Sequence, residues 1–159
     1  MNTATNTSTN AATAVDAASA LACGQAIARF YARLDGLEPG SVGALFEADG
    51  VWHRQGAVLQ GPEAVDAALR QRPAGRTSLH LVSNLQWEAE GPALLRARYL
   101  LPVFRHDAAP GPAGKADPGP APMAGSLLGI THTFDTWALD GAGEWRLREK
   151  DSRVLFLRE

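Results

Sequence analysis

Near residue 76 the spacing of apolar side chains changes from a helical repeat to strict alternation, and the alternation persists almost to the C-terminus. Before that point apolar residues recur three and four apart, which lines one face of a helix; afterwards they recur at every second position, which lines one face of a strand. Helices grouped ahead of a run of strands, instead of alternating with them, define an α+β domain.

Asp16 is placed to cap a helix that continues to about Leu34, with Ile27, Phe30, Tyr31 and Leu34 on one face and Asp35-Gly36 as its stop. Ser41 caps a short second helix carrying Val42, Leu45 and Phe46. Asp49-Gly50 then turns into two short strands, Val51 to Arg54 and Ala57 to Gln60. Gly61-Pro62-Glu63 opens a third helix, with proline where its missing N–H is harmless, and Ala64, Val65, Ala68 and Leu69 form its buried side.

From Thr77 to Trp87 the chain alternates, with Leu79, Leu81, Leu85 and Trp87 in one phase and His80, Val82 and Asn84 in the other. Pattern alone buries the leucine phase and turns His80 to the opposite face. Ala93 to Arg105 is a long strand after a turn at Glu90-Gly91-Pro92, and Leu127 to Leu139 and Glu144 to Leu157 form a hairpin about Asp140 to Gly143. A long curved sheet wrapped over helices leaves a hollow, and small ligands favour hollows.

Two segments lack the apolar mass to offset their ordering entropy. Residues 1–15 are Asn, Thr, Ala and Ser with scarcely any bulk and no signal-peptide pattern, and read as a disordered leader. In residues 107–126, 15 of 20 positions are Pro, Gly or Ala, so this stretch reads as a flexible loop inserted between strands. The expected organisation is one domain over residues 16–159 with that insertion. The formal net charge of −2, without a basic run, argues against nucleic acid or an anionic membrane surface as partner. A single cysteine, Cys23, excludes an intramolecular disulfide framework and fits a cytoplasmic setting.

No phosphate loop, nucleophile elbow, HExxH or paired Cys–His spacing is present. The four histidines, His53, His80, His106 and His132, show no i, i+2 or i, i+4 pairing of the metal-ligand kind, so no metal and no cofactor is expected.

The segments FYARLDGLEPGSVGALFEADGVWHRQG, GPEAVDAALRQRP, SLHLVSN and FDTWALDGAGEWRLREKDSRV, in this order, resemble the SnoaL-like branch of the nuclear-transport-factor-2-like superfamily. The resemblance implies a cystatin-like cone, with three N-terminal helices packed in a curved, mostly antiparallel sheet. It also implies kinship with ketosteroid isomerases, polyketide cyclases, scytalone and bile-acid dehydratases, limonene epoxide hydrolases and dioxygenase β subunits.

Carried over residue by residue, the dehydratase pattern places its strand histidine at His80 and its helix-end aspartate at Asp35. Phe30 stands where a tyrosine is expected, with Tyr31 one place later. Pro102 falls at an acidic or histidine position, and Arg153 matches a late arginine. A histidine base held by a carboxylate, with Tyr31 or Tyr99 facing the developing enolate oxygen, is coherent chemistry for a cofactor-free enzyme. The expected catalytic set is therefore His80, Asp35 and Tyr31, and the expected pocket lining is Phe30, Trp52, His53, Tyr99, Leu101, His132 and Arg153. Of Trp52 and His53, alternating on a short strand, at most one is expected to face the pocket.

Three functions fit this reading. The first is a dehydratase, isomerase or cyclase acting on a hydrophobic, cyclic substrate. The others are a non-catalytic ligand-binding or accessory protein and a dioxygenase β-like structural subunit. A homodimer is expected, because the strand phases are apolar on more than one side.

Overall fold

A computed structural model of the protein describes residues 14–108, 121 and 126–159. Residues 1–13 of the expected leader and most of the expected inserted loop lie outside the described residues, while Val15, expected in the leader, packs against the core. Helix α1 (Ala17–Leu34) begins where the Asp16 carboxylate accepts the Ser19 amide at 2.9 Å. It stops at Asp35, beyond which Gly36 adopts φ +77° and the Leu37 amide returns to the Ala32 carbonyl. Helix α2 (Gly61–Arg70) carries Pro62 in its first turn and buries Val65 completely.

The helix expected after Ser41 is only a 3-10 turn, Gly43–Leu45, so the described residues hold two α-helices and not three. Ser41 does cap this turn, its hydroxyl accepting the Ala44 amide at 2.9 Å. Asp66 of α2 meanwhile accepts both the Gly43 amide (2.9 Å) and the Ser41 hydroxyl (2.5 Å). The turn is thus pinned to α2, where a Cβ at Gly43 would lie 2.2 Å from the Pro62 carbonyl oxygen. Phe46 then swings to extended backbone and enters the core.

Strand β1 (Phe46–Arg54) starts earlier than expected and runs through Asp49-Gly50, where no turn forms. Its parallel register on β7 shifts between Phe46 and Val51, and Gly50 fits there because a Cβ would meet the Leu147 carbonyl oxygen at 2.6 Å. The remaining strands are β2 (Ala57–Gln60), β3 (Arg76–His80), β4 (Ser83–Gly91), β5 (Leu94–Asp107), β6 (Leu127–Leu139) and β7 (Trp145–Leu157). They form one sheet in the order β2-β1-β7-β6-β5-β3, with β4 also paired to β5. Every pairing except β1 with β7 is antiparallel.

The long alternating run from Thr77 breaks into β3 and β4, and its facing reverses at the break. Pairing with β5 keeps one register from His80 opposite Val103 to Ser83 opposite Leu100, then slips by one residue before Gln86 pairs with Arg98. Asn84, at φ +54°, lies inside that slip. One extra residue turns every later side chain to the other face. The expectation that Leu79 and Leu81 are buried therefore fails: they are 41% and 45% exposed, while Ser78 and His80 point inward. Beyond the slip, Leu85 and Trp87 pack against the core as expected.

The core lies between the helices and the inner face of the sheet, where Phe30 and Ile27 of α1 meet Tyr99 of β5, Trp137 of β6 and Leu147 of β7. The outer face is not bare of apolar groups. Leu79 and Leu155 are both substantially exposed, and the His132 ring lies 4.3 Å from that of Phe134.

Candidate active site

A cavity of about 480 Å³ opens between the end of α1, the β1–β2 hairpin and the inner faces of β3, β5, β6 and β7. Trp52, Leu101, Val103, Leu128 and Val154 make much of its wall apolar. His80, Tyr31 and Lys150 also border it.

The helix stop at Asp35 directs its carboxylate toward β3. There Oδ1 accepts from His80 Nδ1 at 2.6 Å and from the Ser78 hydroxyl at 2.8 Å, and Oδ2 accepts the His80 backbone amide at 2.8 Å. The Asp35 side chain is 1% exposed and that of His80 13%. A carboxylate that accepts from Nδ1 holds the neutral imidazole as the Nδ1–H tautomer and leaves Nε2 as a free base. Nε2 has no protein partner among the described residues. Behind this pair, Arg72 donates to the Ser78 hydroxyl oxygen at 2.7 Å and to the Leu34 carbonyl. The last turn of α1 and strand β3 are thereby tied together. The Tyr31 ring stacks on the His80 ring at 5.2 Å and fixes its plane.

A second buried network meets the cavity through Lys150. Its ammonium donates to Asp135 Oδ1 at 2.8 Å and to the Tyr99 hydroxyl at 2.7 Å, while Tyr99 donates to Asp135 Oδ2 at 2.7 Å. Because the single Tyr99 proton goes to Asp135, the 2.9 Å contact between the two phenols must be donated by Tyr31. Lys150 also sits 4.6 Å above the Phe30 ring and 5.0 Å above that of Tyr31. Burial is the largest single influence and opposes its charge, but the Asp135 carboxylate and Tyr31 together outweigh it and the net pKa shift is upward. Burial raises both phenols, Tyr99 further under the Asp135 charge, so both keep their protons near neutral pH.

Of the residues expected to form the site, the structure brings His80, Asp35 and Tyr31 into one contiguous group. Trp52, His53 and Leu101 border the cavity. Both members of the Trp52–His53 pair do so, contrary to the expectation of one: His53 stands 43% exposed at the rim, 3.4 Å from Glu149.

Phe30 and Tyr99 do not line the cavity. They are 1% exposed and lie one layer behind it, under Lys150 and Tyr31. His132 and Arg153 are cross-strand partners in the phase opposite to Thr131 and Thr133. They therefore lie on the outer face, where Arg153 rests 5.3 Å above the Phe134 ring. The inward cation of the last strand is Lys150, which the sequence reading passed over together with Asp135. Asp135 shares a strand phase with Trp137, and a carboxylate in a buried phase was the signal available. Nothing comparable marked Lys150, because β7 slips register against β6 between Thr136 and Trp137.

Among the described residues, no three His, Cys, Asp or Glu side chains converge as metal ligands would. Nor is any helix among them long and apolar enough to cross a membrane.

An α+β domain whose curled sheet encloses a cavity beside its helices has the cystatin-like fold described for solved proteins of similar shape. The SnoaL-like domain profile matches residues 15–151, and the chain belongs to that family. Aln2 from a Streptomyces species superposes with a TM-score of 0.68 at 22% identity, over 88% of this chain and 93% of that one. A candidate scytalone dehydratase from Novosphingobium aromaticivorans gives 0.66 at 17% identity, over 86% and 84%. The hexachlorocyclohexane dehydrochlorinase LinA-type3 from Novosphingobium barchaimii gives 0.67 at 15% identity, over 89% of each chain. At these identities the likeness is one of fold. No curated protein matches the sequence.

Proposed function

We propose that the protein is a cofactor-independent lyase or isomerase that removes a proton beside a carbonyl group of an apolar, cyclic small molecule. The observation that carries this reading is the Asp35–His80 pair, joined at 2.6 Å and presenting Nε2 to a largely apolar cavity. Asp35 fixes the tautomer, and His80 Nε2 takes the proton from the carbon next to the carbonyl. The Lys150 ammonium stands on the same wall, where its positive charge favours the enolate oxygen as it forms. Return of the proton from His80 to a departing β-hydroxyl breaks the C–O bond and releases water. Return to another carbon completes an isomerisation. Either route restores neutral His80. Two structural neighbours, the candidate dehydratase and the dehydrochlorinase, are named for eliminations, of water and of hydrogen chloride respectively.

The test is a panel of cyclic β-hydroxy ketones incubated in D₂O. Deuterium entry at the carbon beside the carbonyl is read by NMR and mass spectrometry, and water loss by absorbance of the conjugated product. Exchange is expected with the native chain and is expected to vanish in His80→Gln with the fold intact. A ligand that binds with neither exchange nor water loss identifies the alternative, a binding or accessory protein of this fold.

A further inference from the structure

Cationic side chains crowd one end of the cavity. Arg54, Arg72, Arg76 and Arg105 all border it, and one carboxylate, Asp107, serves two of them. Asp107 takes Arg76 in a two-point contact at 2.6 and 3.0 Å and also lies 3.5 Å from Arg105. Arg72 is spent on the Leu34 carbonyl and on Ser78, whose hydroxyl passes to Asp35. Asp151, also on the wall, accepts its neighbour Ser152's amide.

Arg54 is left over. Among the described residues its guanidinium has neither a hydrogen-bond acceptor nor an acidic partner, and it rests 5.3 Å above the Trp52 ring, itself part of the apolar wall. Burial, with repulsion from Arg72 and Arg76, lowers its pKa below the ordinary arginine value. A half-buried guanidinium facing two more cations is unfavourable unless an anion joins them.

Resting on the reading of this cavity as a small-molecule site, we infer that the substrate carries a carboxylate, bound by Arg54 at the arginine-rich end while its apolar body lies along Trp52 and Leu101. One unpartnered planar fork suits a single carboxylate, which it grips in two places. A phosphate dianion would call for a second uncommitted cation, and Arg72, Arg76 and Arg105 already have acceptors. The expectation of a hydrophobic, cyclic ligand is thereby sharpened to an amphipathic acid.

The probe pair is 2-naphthoate and its neutral isostere 2-naphthamide, titrated calorimetrically into the full chain at pH 7. The carboxylate is expected to bind about tenfold or more tightly than the amide, with the preference shrinking as salt rises. In Arg54→Gln the preference is expected to vanish while amide affinity stays within about twofold. Arg54→Lys, which keeps charge and loses the fork, is expected to retain part of it, and thermal melts check that both variants fold.

Equal affinities in the native chain, no carboxylate binding at millimolar concentration, or an undiminished preference in Arg54→Gln overturns the assignment. Failure here is separable from failure of the lyase reading. His80→Gln is expected to keep the carboxylate preference while losing deuterium exchange, and a chain without exchange activity still shows the preference if Arg54 binds the acid.

Discussion

Replacing Asp35 by Asn keeps the size of the side chain and reverses the hydrogen-bonding sense of one of its ends. The native carboxylate accepts three hydrogen bonds, from His80 Nδ1, the His80 amide and the Ser78 hydroxyl, and its side chain is 1% exposed. Asn offers one acceptor oxygen and one donor NH₂. The backbone amide cannot move its hydrogen, so the oxygen stays with it and the NH₂ faces Nδ1 and Ser78. The Ser78 hydroxyl can rotate to accept, and Nδ1 can accept only by passing its proton to Nε2. The atom facing the cavity then ceases to be a base.

Hydrogen bonds to a charged group contribute about 1.5–3 kcal/mol each and neutral ones about 1, so weakening this set is expected to cost roughly 2 kcal/mol. For a domain of this size that lowers the melting temperature by about 6 °C. Asp35→Ala, which strands all three donors, is expected to cost roughly 4 kcal/mol. Nitrogen-15 NMR of the imidazole reads the tautomer without any substrate: Nδ1–H in the native chain and Nε2–H in Asp35→Asn. Deuterium exchange is expected to fall on the order of 10³-fold to 10⁴-fold, as wrong-tautomer histidine bases do. A native Nε2–H tautomer, or an Asp35→Asn variant with unchanged spectrum and rate, refutes this reasoning.

Lys150→Met strands the buried Asp135 carboxylate and is expected to cost about 3 kcal/mol in urea denaturation, whereas Lys150→Met with Asp135→Leu recovers much of the loss; a single variant within 0.5 kcal/mol of native, on the order of an ordinary surface substitution, would show the pair is idle. Because the Lys150 pKa is raised on folding, its contribution is whole below its ordinary value of 10.5 and disappears as pH rises through the higher folded value. The stability gap to Lys150→Met should therefore be flat from neutral pH into mild alkali and close only above that range. Burial pushes the fully enclosed Cys23 thiol up to about 12, so a disulfide reagent at pH 8 should label it only at the rate of unfolding, and fast labelling of native protein would show that α1 detaches. The exposed apolar groups of the outer face, Leu79 and Leu155 among them, lead to the proposal of a homodimer at micromolar concentration. Sedimentation should show it and Leu79→Glu should dissociate it, while a native monomer throughout that range removes the proposal.

Local rules account for much of the architecture. The helical stripe ending in Leu34, the Asp35-Gly36 stop, Pro62 at the start of α2, the β5 phase through Tyr99 and Leu101, and the β6–β7 hairpin are each set by neighbours a few residues apart. Periodicity and capping report such short-range causes directly. They do not report a residue inserted against a distant partner. The slip at Asn84 depends on how β3 and β4 share β5, and it alone turns His80 inward and Leu79 out. The single turn at Gly43–Leu45, in place of a helix, depends on Asp66, more than twenty positions away. Lys150 meets Asp135 across β6 and β7, and Arg54 finds Arg72 and Arg76 as neighbours only because one cavity collects them. The sequence by itself determined the class of fold and the helix end that carries Asp35. Which face each histidine takes, and which charges share a cavity, was decided by pairing between strands, where a shift of one residue exchanges inside for outside.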